Sequence, residues 1–128
     1  MSAEFRNPMK TARGLGSAKT GTSHFIRQRS TAIALAFLAV YVLGLLIFCM
    51  TSDYAQAREV VKHPLNAIVL IAFVVSMLWH SKLGIQVVIE DYVHTPLAAM
   101  ALQLLNIFVN AIAAIAGVLA IVRIALGA

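Results

Sequence analysis

Three long apolar stretches alternate with short polar ones along this chain, and that alternation predicts three membrane-spanning helices. Crossing a ~30 Å hydrocarbon layer takes about 20 residues at ~1.5 Å per residue. Ala32 to Met50 is apolar apart from Gly44 and meets that length, which gives a first span at about residues 31–51. Thr51 to His63 carries Asp53, Arg58, Glu59 and Lys62 and reads as a loop on the far side. Pro64 suits the first turn of a second span over residues 64–92. Within it Leu65 to Trp79 is nearly all apolar, after which His80, Ser81, Lys82 and Gln86 enter while the apolar background continues to Ile89. Thr95-Pro96 marks the next turn, and a third span follows over residues 96–125. Its Gln103, Asn106, Asn110 and Gly117 fall on one helical stripe, which predicts a face against protein rather than lipid.

Residues 1–29 form a basic arm with no apolar period, expected to be largely irregular, and residues 30–128 form the membrane anchor domain. Composition agrees with this reading. The 128 residues are 61% apolar and only 12% charged, with mean hydropathy +0.88, which excludes a water-soluble domain. The net charge of +5 would suit a nucleic-acid partner if the cations lay on a folded face. Instead Arg6, Lys10, Arg13, Lys19, Arg27 and Arg29 all precede the first span, opposed only by Glu4, so no nucleic acid is implied. The asymmetry is a positive-inside signal and puts the N-terminus in the cytoplasm, with the second span returning Glu90, Asp91 and Tyr92 to that side. Ala55-Gln56-Ala57 has the pattern of a signal-peptidase site, but the preceding run is too long for a signal core and two spans follow it. Gly14-Leu15-Gly16 lacks the preceding strand and third glycine of a nucleotide loop. Cys49, the single cysteine, excludes an intrachain disulfide and reads as a small apolar packer.

The second span carries the chemistry. At about 100° per residue His80, Gly84, Val87 and Asp91 share one narrow stripe. His80 lies about 24 Å along the helix from Pro64, past the middle of the hydrocarbon layer and still within it. A neutral imidazole at that depth can bond to another helix, relay a proton or give a nitrogen lone pair to haem iron. Gly84, one turn on, leaves room for a flat macrocycle. The first and third spans contain no histidine, and His24, His63 and His94 fall at or beyond the interfaces. A haem with two axial histidines would therefore need its second from another membrane subunit. Asp91 and Tyr92 lie about 16 to 18 Å beyond His80, at the interface, where a phenol beside a carboxylate can bond to a quinone carbonyl and handle protons. Alone, the pair also reads as a belt tyrosine beside a helix-end acid. Arg29, in Ser23 to Arg29 at the membrane entrance, can act as a basic stop or pair with haem propionates or a partner's acids.

Two segments, Gly21-Thr22-Ser23-His24-Phe25-Ile26-Arg27-Gln28-Arg29-Ser30-Thr31-Ala32 and His80-Ser81-Lys82-Leu83-Gly84-Ile85-Gln86-Val87-Val88-Ile89-Glu90-Asp91-Tyr92-Val93, resemble the hydrophobic membrane anchor subunits of succinate dehydrogenase, the haem-b-associated small subunits of respiratory complex II. The likeness, with three spans in the same arrangement, covers roughly residue 14 to the C-terminus. It implies an all-α membrane protein with three transmembrane helices, part of a hetero-oligomeric bundle. It also implies His80 as an axial ligand of haem b, Arg29 near its propionates, and Asp91 with Tyr92 at the ubiquinone site, while the bare Gly84 position beside His80 is read as the place where the haem packs. The haem would be shared with a second membrane anchor, the cytochrome b subunit. FAD and iron-sulfur clusters would belong to a flavoprotein and an iron-sulfur partner, and the isolated chain would catalyse nothing.

The related alternative is the anchor of a fumarate reductase, running similar chemistry in reverse. A further one is a redox-silent scaffold whose His80 and polar third span only pack helices. The expected location is a bacterial inner membrane. The acid-poor, Arg- and Ser/Thr-containing N-terminus also leaves a mitochondrial inner membrane open.

Overall fold

The computed structural model describes Met9 and residues 21–127. Among them the chain is all-helical: α1 (Gly21–Thr51), α2 (Tyr54–Lys62), α3 (Pro64–Tyr92) and α4 (Pro96–Ala125). Helices α1, α3 and α4 are each long and apolar enough to cross a membrane. The two prolines stand in the first turns of α3 and α4, where a missing N–H costs no hydrogen bond, and they set both starts at the expected residues.

The first helix starts ten residues before the position its hydropathy predicts, so residues 21–29 of the basic arm are helical rather than irregular. No proline interrupts this stretch, and its polar side chains serve the helix itself. Ser30 Oγ donates to the Ile26 carbonyl at 2.8 Å, and Thr31 Oγ1 lies 3.0 Å from the Arg27 carbonyl. With 31 residues α1 is about 46 Å long, more than the hydrocarbon layer needs, so its first turns project to the interface. The remaining arm, with Arg6, Lys10, Arg13 and Lys19, lies outside the described residues. The predicted far-side loop also contains a helix, α2. Asp53 caps it by accepting from the Gln56 N–H at 2.8 Å, and a Lys62–Glu59 ion pair of 3.0 Å lies on its surface.

The three long helices form a layer with α3 in the middle; α1 and α4 both pack on it and do not touch each other. Against α4 the polar stripe is where the spacing predicted. Asn106 Nδ2 donates to the Lys82 carbonyl at 2.9 Å, Gln103 Nε2 to the Gln86 carbonyl at 3.2 Å, and Asn110 Nδ2 to Asn106 Oδ1 at 2.8 Å. Asn106 and Asn110 are buried, and Gly117 brings α4 against Val74 of α3. At the opposite end Tyr41 donates to Asn66 Oδ1 at 2.6 Å, and Asn66 donates to the Val60 carbonyl at 2.7 Å, tying α1, α2 and α3 together. Only 6%, 6% and 11% of the most apolar windows of α1, α3 and α4 are buried within the chain. The rest needs lipid or other subunits to cover it.

Candidate functional site

Because α1 reaches back to Gly21, His24, Gln28 and Thr31 come four and three residues apart on one helical face. That face packs on α3 around His80, Leu83 and Gly84. Leu83, 2% exposed, is the apolar floor of the contact. Thr31 Oγ1 lies 2.9 Å from His80 Nδ1, and Gln28 Nε2 lies 3.4 Å from His80 Nε2. Both ring nitrogens thus face α1. A Cβ on Gly84 would meet Gln28 Nε2 at 3.8 Å, so the Gln28 amide rests over the glycine and against the imidazole together. The Gln28 Oε1 atom is buried without a hydrogen-bond partner.

One and a half turns further along α3 a polar cavity of about 450 Å³ opens between the helices, lined by His24, Arg27, Lys82, Gln86 and Glu90 among others. A relay of side chains runs along its α3 wall: Lys82 Nζ to Gln86 Oε1 at 3.5 Å, then Gln86 Nε2 to Glu90 Oε1 at 2.8 Å. Lys82 also sits over the Trp79 ring, 6.0 Å from its centroid. His24, on the far wall, keeps a buried Nε2 without a partner. This juxtaposition puts Gly21 to Arg27 at the same end of the layer as Gln86 to Glu90, as the return of the second span requires.

The other expected residues stand apart from His80. Arg29 is exposed, its guanidinium 5.3 Å from the Phe25 ring centroid, one residue round the helix from Gln28. Asp91 and Tyr92 close α3 in the exposed position expected of them, Tyr92 being 79% exposed, and neither forms a side-chain hydrogen bond or ion pair among the described residues. The structure therefore brings His80 and Gly84 together and leaves Arg29, Asp91 and Tyr92 on the outside of the chain.

Sequence reasoning missed Gln28, Thr31 and the polar relay. The signal was present: a 24/28/31 stripe becomes visible once the helix is extended to Gly21, but hydropathy alone stops it at the first charged residues. No group of three or more histidine, cysteine, aspartate or glutamate side chains able to hold a metal ion occurs among the described residues. A metal held here would have to arrive with a group that brings its own ligands, and His80 could give it one nitrogen.

The donor set fits a haem in that sense. An imidazole stands beside a helix position without a side chain, and the amide next to it has an unsatisfied oxygen.

Comparison with known proteins adds an independent line. The family model of the succinate dehydrogenase/fumarate reductase transmembrane subunit matches residues 4–121. The chain is 39% identical over 93 residues to the succinate dehydrogenase hydrophobic membrane anchor subunit of Rickettsia bellii, covering 73% of this chain and 74% of that one. The protein of the same name from Rickettsia conorii is 36% identical over 94 residues, covering 70% and 72%. That from Paracoccus denitrificans is 31% identical over 121 residues, covering 94% and 93%. No solved structure matches the chain significantly.

Proposed function

Since the chain belongs to the family of succinate dehydrogenase/fumarate reductase transmembrane subunits, we propose that it anchors a succinate dehydrogenase in a bacterial inner membrane and helps to hold haem b and ubiquinone there. The relatives' names favour succinate dehydrogenase over fumarate reductase. The observation that carries the residue assignments is His80, at membrane depth, with Nδ1 on Thr31 and Nε2 turned to a movable amide over Gly84.

On this reading His80 gives its Nε2 lone pair to the haem iron, and Gly84 lets the macrocycle approach the helix. When bound, a b-type haem would supply single-electron transfer inside the membrane, held on this chain by His80. A second histidine would come from the other membrane anchor, the cytochrome b subunit. Within this chain His24 lines the cavity toward the end of α3, and His63 and His94 lie at helix ends. Arg29 projects outward, free to pair with propionates or with acids of a partner.

Tyr92 and Asp91 serve ubiquinone. A phenol at a helix end donates to a quinone carbonyl, while the neighbouring carboxylate holds a cation or hands over a proton. Their exposure supports a site completed by other subunits. The partners are accordingly a flavoprotein carrying FAD, an iron-sulfur protein carrying the clusters and the second anchor. The charge asymmetry of the arm sets the N-terminus, and with it Asp91 and Tyr92, on the cytoplasmic side.

The test is a reduced-minus-oxidised visible spectrum of the complex isolated through a tag on this chain, beside its His80→Ala variant, together with succinate-driven reduction of ubiquinone. A b-type spectrum lost or altered in the variant is expected. An intact wild-type complex without haem would overturn the ligand assignment and leave a haemless anchor or a redox-silent scaffold.

A further inference from the structure

We propose that Thr31 is a positioning residue that fixes His80 as the Nδ1–H tautomer and so leaves Nε2 bare for a metal. The proposal rests on the reading of His80 as a haem ligand and adds to it the group that prepares it.

The argument is a count of hydrogens. Thr31 Oγ1 has one hydrogen and two lone pairs, and three groups compete for them: the Arg27 carbonyl at 3.0 Å, the Gln28 carbonyl at 3.0 Å and His80 Nδ1 at 2.9 Å. Carbonyl oxygens only accept. If the hydroxyl hydrogen goes to either carbonyl, the contact with Nδ1 is a hydrogen bond only when Nδ1 carries a proton and donates to the hydroxyl oxygen.

The other side of the ring gives the same answer. Gln28 Nε2, an amide NH2 that only donates, lies 3.4 Å from His80 Nε2, which must therefore be the acceptor. The Gln28 contact selects the tautomer with the proton on Nδ1 and the lone pair on Nε2, and Thr31 accommodates it when its hydroxyl hydrogen stays on a carbonyl of its own helix.

The lone pair is also presented to the right place. Gln28 Nε2 is 3.8 Å from where a Cβ on Gly84 would stand, so the amide lies in the space a flat ligand would take between Gly84 and the imidazole. It is held weakly: its contact to His80 is long, and its Oε1 is buried without a partner. Gln28 is a long side chain at a helix face and can swing aside, whereas Thr31 is β-branched with its hydroxyl tied to its own helix. Thr31 thus stays while Gln28 yields. A metal-bound histidine whose other nitrogen donates a hydrogen bond is oriented by it and made a stronger electron donor, and loss of such a partner typically costs about 10- to 100-fold in metal affinity.

The experiment uses the tagged complex with Thr31→Val, which keeps the shape and removes the hydroxyl, Thr31→Ser, which keeps the hydroxyl, and His80→Ala. Haem retention on dilution, the haem midpoint potential and the g-values of the low-spin ferric signal are compared. Thr31→Val is expected to weaken haem retention about 10- to 100-fold, raise the midpoint potential and shift the g-values, with Thr31→Ser close to wild type. Thr31→Ala gives the same readouts should the valine variant not assemble. Wild-type potential and g-values in Thr31→Val, beside a haem spectrum altered by His80→Ala, overturn the role of Thr31 and leave His80 as ligand. A haem signal unmoved by His80→Ala overturns the ligand reading itself.

Discussion

Alanine at Gly84 and at Gly117 puts the same methyl group into two different surroundings on the two sides of α3. A glycine inside a helix costs about 1 kcal/mol relative to alanine, so both substitutions begin with that gain. At Gly84 the new Cβ meets only the Gln28 amide nitrogen, at an ordinary contact distance of 3.8 Å and at the movable end of a long side chain. The fold should therefore be unharmed, or more stable by up to about 1 kcal/mol. At Gly117 the Cβ would stand 2.9 Å from Val74 Cγ1, with Cγ2 at 3.8 Å and Cβ at 3.9 Å. Valine is stiff at χ1 and cannot turn away, so an overpacking cost of about 1–3 kcal/mol should leave Gly117→Ala between neutral and about 2 kcal/mol less stable. Thermal denaturation of the detergent-solubilised complex, read with haem per complex, separates the two cases. Gly84→Ala should hold the melting temperature and lose haem or shift its spectrum; Gly117→Ala should lower the melting temperature and keep the spectrum of the surviving fraction. Full haem content and an unchanged spectrum in Gly84→Ala would refute the reasoning that this glycine keeps space for a macrocycle.

Tyr92→Phe removes one hydroxyl from a residue without a side-chain partner among the described residues, so ubiquinone reduction should slow, with a raised KM, at unchanged stability; an unaffected KM would remove Tyr92 from the proposed quinone site. Arg29→Ala should leave melting within about 0.5 kcal/mol of wild type, the loss being one exposed cation–π contact, while lowering haem content or subunit assembly measured by size-exclusion chromatography. Asn106→Leu deletes a donor to the Lys82 carbonyl and an acceptor for Asn110, and should cost about 0.6 to 1.7 kcal/mol in denaturation of the complex by SDS. Asp53→Ala removes the cap of α2 and should destabilise that helix by about 1 kcal/mol, read by proteolysis near Gln56, with succinate oxidation untouched.

Much of the architecture was legible because a bilayer leaves few options. Apolar runs of span length, interrupted by Pro64 and by Thr95-Pro96, define α3 and α4 to the residue, and the spacing of Gln103, Asn106, Asn110 and Gly117 gave the face of α4 turned to α3. The start of α1 was not legible, because hydropathy reports where lipid begins and not where helical hydrogen bonding does. The short helix α2 was hidden in a polar segment for the same reason. His80 and Gly84 stood out as a polar and a bare position at membrane depth. Their contacts with Thr31 and Gln28 depend on how α1 packs on α3, which periodicity within one helix does not encode. Arg29, Asp91 and Tyr92 lie on the outside of the chain, and nothing in its sequence pattern says what covers them.

The place of α3 between α1 and α4 bears on motion as well as on packing. Local opening begins where few neighbours hold a segment, and in a row of three helices those segments are the outer flanks and the frayed ends. The middle helix is restrained on both sides, by polar groups of α4 on its Lys82 and Gln86 carbonyls and by Thr31 and Gln28 of α1 on its imidazole. His80 is therefore mounted, among the described residues, on the helix that is packed on both sides. Amides around it should exchange with solvent deuterons more slowly than those in the first turns of α1, and an electron carrier placed there would keep a constant distance to its neighbours while the flanking helices fluctuate.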